Sequence, residues 1–415
     1  MKILLYGINF SPELTGIGKY SGDMAAWLSD AGHDVRVISA PPYYPHWVVS
    51  EGYKSYLYRQ ESVNDLRVWR CPLYVPKNPK GFSRVLHLVS FAISSLPILA
   101  RQLFWKPDVV ICVEPPIFCA PAGLLFSKLV GCKSWLHIQD FEVDAGINLG
   151  LVPFLFAKKT ILKIESWLLR RFDKVSTISQ SMMKKLDEKN IQTENQIFFP
   201  NWSDLDCVSH SPKVGADFRI RNGIEPSDFV VLYSGNMGEK QGLDMIVEAA
   251  KVLTSNQSIQ FLLCGDGADK KNLQGKVKDA GLNNIIFLPL QPLDQFNCLL
   301  NAADIHLVIQ KIGAADLVMP SKLTNIIASG GYSLVTAEKG TELELLLSDN
   351  KFLGTLIEPE SLVEFLSAIK YLSASQQKIG HHLIRSFAEN TFEYNFVMRR
   401  FEADLKKTIY NNSAG

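Results

Sequence analysis

Cysteine is sparse and unpaired in this 415-residue chain. Cys71, Cys112, Cys119, Cys132, Cys207, Cys264 and Cys298 make an odd count, and no Cys-x-x-Cys occurs. That spacing argues against a zinc ribbon or a disulfide framework. Most of these cysteines stand in apolar runs and read as small buried hydrophobes in a reducing compartment. Charge of one sign is missing too: 43 Lys and Arg face 42 Asp and Glu. Net charge therefore carries no nucleic-acid signal, although a local basic patch stays open. No acidic pair of the Asp-x-Asp diphosphate-metal type stands at a predicted strand end, so no metal cofactor is expected. Long apolar runs are also lacking. The most apolar stretch, Val85–Ala100, is interrupted by His87, three serines and Pro97. It falls short of the roughly 20 residues that span a bilayer, and no transmembrane segment is predicted. The apolar run at the N-terminus is too short for a signal peptide and reads as a first strand.

What is present is a repeating rhythm of strand, turn and helix. Strands are predicted at Ile3–Tyr6, Val35–Ser39, Asp108–Val113, Ser134–Ile138 and Val175–Ile178. A second series follows at Phe229–Tyr233, Ile259–Cys264, Ile285–Leu288, Ile305–Ile309 and Tyr332–Thr336. Strands alternating with helical patterns imply parallel α/β sheets. The length suits two domains: residues 1–200 and 201–390, with a C-terminal helix within 391–412 free to return to the first. Residues 41–80, rich in Pro, Tyr and Trp, break the rhythm and read as an irregular active-site insertion.

Four segments carry chemistry. Gly16 and Gly18 lie in a turn ahead of a helix, where backbone amides and the helix start favour an anion; a plain strand-to-helix turn explains them as well. The run Tyr233–Gly242 holds Gly235, Asn236, Gly238, Lys240 and Gln241 and suits a diphosphate, with Lys240 either neutralising phosphate charge or simply solvated. Gly265 opens a further glycine turn. Ser321 and Lys322 stand at the start of a helix that also carries Asn325, an arrangement favouring an anion. Finally, His137, Asp140 and Glu142 cluster past a strand's carboxyl end, where open parallel sheets bind ligands. His137 is either a site residue or a hydrogen-bonded core histidine, and Asp140 either a site residue or a helix cap.

Together these segments resemble family 4 of the retaining glycosyltransferases, nearly end to end. The carriers are Asn9–Tyr20, Gly32–Val37, Tyr233–Gly242, Gly265-Asp266-Gly267 and Ala302–Leu307. The resemblance implies the GT-B fold: two Rossmann-like α/β domains whose parallel sheets face an interdomain cleft. Runs at Ala40–Pro45, Trp69–Lys77, His137–Asp140 and Gly313–Asp316 are similar to fucosyltransferases of colanic acid assembly. They imply transfer of a sugar, fucose from GDP-fucose being the favoured case, to a lipid-linked exopolysaccharide intermediate. Catalytic roles then fall to His137, Asp140, Lys240 and Lys322. Donor contacts fall to Gly16, Gly18, Gly235, Asn236, Gly238, Gln241, Gly265, Asp316, Ser321 and Asn325, and acceptor contacts to Tyr43, Tyr44 and Glu142. The sequence departs from the family where two glutamates eight positions apart are usual: Leu317 and Asn325 stand there, with Asp316 adjacent. Asn236 and Gln241 replace the usual arginine and lysine of the phosphate loop.

A cytoplasmic protein resting on the inner face of the membrane is expected. Arg84, Arg101 and Lys106 lie in or beside the apolar run Val85–Ala100, and around Leu149–Phe172 Lys158, Lys159, Lys163, Arg170 and Arg171 lie among Leu, Phe, Ile and Trp in a helical pattern; packing on the sheet explains the same pattern. Two other functions fit the same motifs: a GT-B nucleotide-sugar epimerase, and a non-catalytic nucleotide-sugar-binding subunit.

Overall fold

The computed structural model describes all residues except 14–15, 78–80, 149–154, 204, 206–207, 239–240, 255–257, 313–320, 376–379 and 411–415. The chain divides into two compact units. The first holds Met1–Ile178, Met182–Asn201 and Met398–Gly415; the second holds Ser179–Ser181 and Trp202–Val397.

The first half of the chain begins with β1 (Lys2–Tyr6), α1 (Gly16–Asp30), β2 (Asp34–Ser39), β3 (Arg59–Val63), β4 (Leu66–Arg70) and α2 (Phe82–Arg101). It continues through β5 (Val109–Glu114), α3 (Ala120–Val130), β6 (Lys133–Ile138), α4 (Glu142–Asn148), α5 (Leu155–Leu169), β7 (Lys174–Thr177), α6 (Gln180–Glu188) and β8 (Gln196–Phe198). Among the described residues its sheet has the order β3-β4-β2-β1-β5-β6-β7-β8. Every pairing is parallel except β3 with β4. Leu5 lies level with Val37 on one side and Ile111 on the other. The central strands β1, β5 and β6 are buried on both faces because helices cover both. The order reverses at β1, so the carboxyl ends of β1 and β5 form a crevice.

The insertion at 41–80 is more regular than its composition suggests, since it contributes β3 and β4. A buried arginine organises it. Arg70 donates to the Glu61 carboxylate at 2.7 Å, to the Ala40 carbonyl at 3.0 Å and to the Ser11 carbonyl. The apolar stretch at 85–100 belongs to a longer helical run, Phe82–Phe104, which is long and apolar enough to cross a membrane by length and composition. One stripe of it is committed to the sheet: Phe91 and Ser95 are buried, and Ser95 Oγ lies 2.6 Å from Tyr6 Oη.

The second half is assembled from α7 (Pro212–Arg221), β9 (Phe229–Ser234), α8 (Asp244–Val252), β10 (Ile259–Cys264), α9 (Lys270–Asp279), β11 (Ile285–Leu288), α10 (Leu293–Asn301) and β12 (Ile305–Val308). Then come α11 (Ser321–Ala328), β13 (Ser333–Thr336), α12 (Glu342–Asp349), β14 (Gly354–Ile357), α13 (Leu362–Ala374), α14 (His381–Thr391) and α15 (Tyr394–Tyr410). The sheet order is β11-β10-β9-β12-β13-β14, parallel throughout. Its reversal point is at β9, between β10 and β12.

The final helix returns to the first unit. Phe401 stacks on Phe199 at 4.0 Å and meets Trp135 edge-on at 5.2 Å, all three rings being buried. Glu402 Oε1 lies 2.8 Å from His33 Nε2. Phe401→Ala would leave a cavity between two aromatic rings, and a loss of about 3–5 kcal/mol is expected. Urea unfolding followed by tryptophan fluorescence measures it; a midpoint unchanged from wild type would refute the anchoring role.

Candidate functional site

In the second unit, the carboxyl ends of β9 and β10 run into glycine turns that touch. A Cβ on Gly265 would lie 1.9 Å from the Gly235 carbonyl oxygen, and one on Gly267 would lie 2.3 Å from the Met237 oxygen. Only glycine permits this approach. Gly235 N donates to the Cys264 carbonyl at 2.9 Å, and Met237 N to the Asp266 carbonyl at 2.8 Å. Gln241 Oε1 accepts from Gly238 N at 3.2 Å, so the side chain holds its own loop. Asn236 is exposed.

Lys322, in the first turn of α11, belongs to this loop cluster. Its Nζ donates to Tyr233 Oη at 3.2 Å and lies 4.5 Å from that ring's centroid. Tyr233 Oη in turn donates to the Asn236 carbonyl at 2.6 Å. A Cβ on Gly235 would come within 3.5 Å of the lysine Nζ. Among the described residues no carboxylate pairs with this ammonium, and burial lowers its pKa to about 8. A cation held beside glycine-turn amides and a helix start is an anion site. Asn325, one turn further along α11, is half-buried. Lys240, Asp316 and Leu317 lie outside the described residues, as does the side chain of Ser321. The one Asp-x-Asp string in the chain, Asp204-Leu205-Asp206, falls after β8 rather than at a strand end of the glycine-turn cluster; both aspartates are also outside the described residues.

In the first unit, a cavity of about 200 Å³ opens at the β1–β5 crevice. Asn9, Tyr43, Tyr44, Trp47, Arg84 and Asp140 supply its polar and aromatic lining, and Gly16 stands at its edge. Its floor depends on Glu13, a residue absent from the sequence-based assignment. Glu13 Oε1 accepts from Tyr43 N and Tyr44 N at 3.0 Å each, and Oε2 accepts from Asn9 Nδ2 at 2.9 Å. Burial raises the Glu13 pKa in spite of these donors. Gly18 is required because a Cβ there would lie 2.3 Å from Glu13 Oε2. The signal was available: Glu13 is an acid inside the same run that supplies the glycines. Arg84, Trp47 and Asn9 were likewise missed as site residues, Arg84 being a first-turn cation of an apolar helix.

Two of the sequence assignments change. His137 is the core histidine of the two alternatives. It is buried, its Nδ1 lies 2.9 Å from Ser176 Oγ, and Gln139 Nε2 donates to its Nε2 at 2.8 Å. Both ring nitrogens are occupied, so none is left for a substrate hydroxyl. Glu142 does not line the cavity either: its Oε2 accepts from Ile117 N at 3.0 Å, and burial raises its pKa. Asp140 lines the cavity two residues before α4 begins.

Residues 15–202 match the model of a glycosyl transferase 4-like domain, and residues 216–390 that of glycosyl transferases group 1. The chain is 46% identical over 411 residues to a protein provisionally named the colanic acid biosynthesis glycosyl transferase WcaI of Escherichia coli K12, covering 98% of this chain and 100% of that one. Among solved structures, sucrose-phosphate synthase from Thermosynechococcus elongatus superposes with a TM-score of 0.70 at 15% identity, covering 99% of both chains. Anabaena HepE in complex with UDP-glucose superposes at 0.64 and 16% identity, over 98% of this chain and 100% of that one.

Burial holds the His137 pKa down to about 3, against 6.5 in the unfolded chain. The unfolded state therefore binds a proton that the native state refuses between those values. The contribution is intact above about pH 6.5 and is lost as the pH falls. Replacing His137 with Asn should reduce the pH dependence of stability between pH 6 and 4 by about 1.4 kcal/mol per unit. Urea titrations of both proteins across that range check it, and equal slopes would count against a neutral core imidazole.

Proposed function

The chain belongs to the glycosyltransferases that join a glycosyl transferase 4-like domain to a group 1 domain in the GT-B fold, and from that premise we propose that it moves a sugar, with retained configuration, from a nucleotide-sugar to a lipid-linked exopolysaccharide intermediate of the colanic acid type. The donor is a GDP-sugar, GDP-fucose in the favoured case. The observation that carries the reading is Lys322, an ammonium without a described carboxylate partner, held against the glycine turns of the second unit. A leaving nucleoside diphosphate is the kind of anion that such a cluster stabilises.

In the proposed reaction the bond between the sugar's anomeric carbon and the phosphate oxygen breaks. A hydroxyl oxygen of the acceptor bonds to the same carbon on the same face. The hydroxyl proton passes to the departing phosphate, so no dedicated base is needed. Lys322 and the loop amides take up the developing negative charge, with Lys240 as a second cation. Tyr43, Tyr44, Trp47 and Asp140 hold the acceptor sugar in the first unit's cavity, by stacking on its rings and by hydrogen bonds to its hydroxyls. Work takes place on the cytoplasmic side, at the inner face of the membrane, where a lipid-linked acceptor is reached. The similarity to WcaI over the full length supports the exopolysaccharide assignment.

Lys322→Ala should fold normally and lose about 2–4 kcal/mol of transition-state stabilisation, roughly 30- to 1000-fold in turnover. Its lowered pKa adds a second signature. A bound diphosphate restores the proton, so donor binding near pH 8 to 9 should take up a proton in wild type and none through this site in Lys322→Ala. Calorimetry in buffers of different ionisation enthalpy reads this. Wild-type turnover in the variant with GDP-fucose, GDP-mannose and UDP-glucose alike would overturn the phosphate assignment.

Because lysines carry the phosphate charge in this reading, activity should survive excess EDTA. Loss with EDTA and strict recovery with magnesium or manganese would refute metal independence and direct attention to Asp204 and Asp206.

A further inference from the structure

Two neighbouring helices of the first unit present apolar side chains to solvent. The helix α2 lies over β2 and beside α3, which lies over β5 and β6. Tyr6 of β1 packs against Phe91 of α2, and a Cβ on Gly123 of α3 would come within 3.9 Å of its ring. Both helices therefore cover the same face of the sheet, and their outer stripes point the same way. Phe82, Leu86 and Ile93 of α2 are 80%, 43% and 62% exposed, and Phe104, one turn beyond it, is 90% exposed. On α3, Leu125 and Leu129 are 61% and 66% exposed. A scattered exposed leucine needs no explanation, but two adjacent helices with apolar outer stripes do.

The two helices and their flanking turns carry charge of one sign; a carboxylate beside them, Asp34 of β2, accepts from Trp105 Nε1 at 3.0 Å. Residues 66–107 and 115–139 hold no aspartate and no glutamate. Both helices are crossovers between parallel strands and run the same way, so their C-terminal ends lie together. That end carries the exposed cations Arg101, Lys106 and Lys128. The other end of α2 meets the sugar-sized cavity: Arg84 and Leu88 face into it, while Phe82 and Leu86, within the same turn, face solvent.

We infer that the α2–α3 face is the surface by which the protein rests on an anionic bilayer. Its apolar stripes enter the headgroup layer, and Arg101, Lys106 and Lys128 pair with lipid phosphates. This rests on the reading of a lipid-linked acceptor, and it explains how one is presented. A lipid tail held in the bilayer beside Phe82 and Leu86 leaves its sugar within reach of the cavity that Arg84 lines. A second copy of the chain is the poorer occupant, because a twofold contact sets a patch against itself, and these helices offer no carboxylate to meet their own cations. The basic helix α5 exposes less: Ile164 and Trp167 are its exposed apolar residues among those whose side chains are described, and Arg171 lies 4.2 Å over the Trp167 ring.

The test is sedimentation of the full-length protein with vesicles of phosphatidylcholine alone and with 30% phosphatidylglycerol added. Three proteins are compared at low and high salt: wild type, Ile93→Glu with Leu125→Glu, and Lys158→Glu with Lys159→Glu and Lys163→Glu. Ile93 and Leu125 are exposed, so the double variant should keep the wild-type unfolding midpoint, measured in parallel. Expected is binding that rises with anionic lipid, at least about tenfold weaker in the α2–α3 variant and within about twofold of wild type in the α5 variant. Wild-type binding by the α2–α3 variant, or loss confined to the α5 variant, would overturn the surface while leaving the membrane reading standing. Binding to neither vesicle, with light scattering showing a dimer that the α2–α3 variant dissolves, would assign the face to self-association. Binding to neither vesicle by a monomeric wild type would refute this surface and the membrane reading together.

Discussion

The carboxyl ends of β9 and β10 are pressed backbone against backbone, and the arrangement of the second unit's site follows from that contact. Gly265 and Gly267 have no side chains to separate the two loops, so carbonyls of one loop lie where a Cβ of the other would be. The loop after β9 is thereby pinned through Gly235 and Met237 amides. Pinning fixes the Asn236 carbonyl, which accepts from Tyr233 Oη, which accepts from Lys322 Nζ. A single steric condition thus places a lysine of α11, nearly ninety residues away, against a loop of β9. An amide cradle built on rigid turns costs no reorganisation when charge develops.

The first unit solves a similar problem with a carboxylate. Glu13 is enclosed, and its two oxygens take three donors from two parts of the chain. Losing it would strand the buried amide of Tyr43, free the part-buried amide of Tyr44 and release the aromatic wall of the cavity. The beginning of the insertion is held at this point, and its return strand is held by Arg70. Both groups bind backbone carbonyls or amides, which suits a segment rich in Pro and aromatics that forms few ladder hydrogen bonds of its own.

Most of this fold was legible as rhythm. Buried parallel strands read as short apolar runs, and ten of them were placed to within a residue or so of the observed ends. The strands that were missed are instructive. β3 is polar and sits at a sheet edge, β4 is interrupted by arginines, and β8 and β14 are three and four residues long. None gives an apolar run, because an edge or short strand is specified by its neighbours rather than by its own burial. The glycine turns and Lys322 were legible because their residue types have few other uses at a helix start. Glu13, Arg84 and Trp47 were not, since their meaning lies in the distance between segments far apart in sequence. His137 shows the reverse error. A histidine at a strand's carboxyl end suggests chemistry, yet a strand residue alternates faces, and this one points inward to Ser176.

The replaced phosphate-loop residues sharpen the electrostatic argument. Asn236 and Gln241 stand where the family resemblance leads one to expect an arginine and a lysine, so the loop itself offers dipoles and amides rather than charge. Gln241 spends its carbonyl on Gly238 N, which stiffens the turn but contributes nothing cationic. Positive charge at the described part of this site then comes from Lys322 of α11 and from Lys270 of α9, whose Nζ donates to the Gly265 carbonyl at 2.7 Å. Lys322 is already partly desolvated, with its pKa lowered to about 8. Much of the cost of burying that cation has therefore been met in the folding of the domain, and an arriving diphosphate meets an ammonium with little water left to displace. A lysine in that condition interacts more strongly with an anion than an exposed one would, because the surrounding dielectric is low. One buried lysine can on this account take over part of what two exposed cations do elsewhere, and the stability of the empty site is what pays for it.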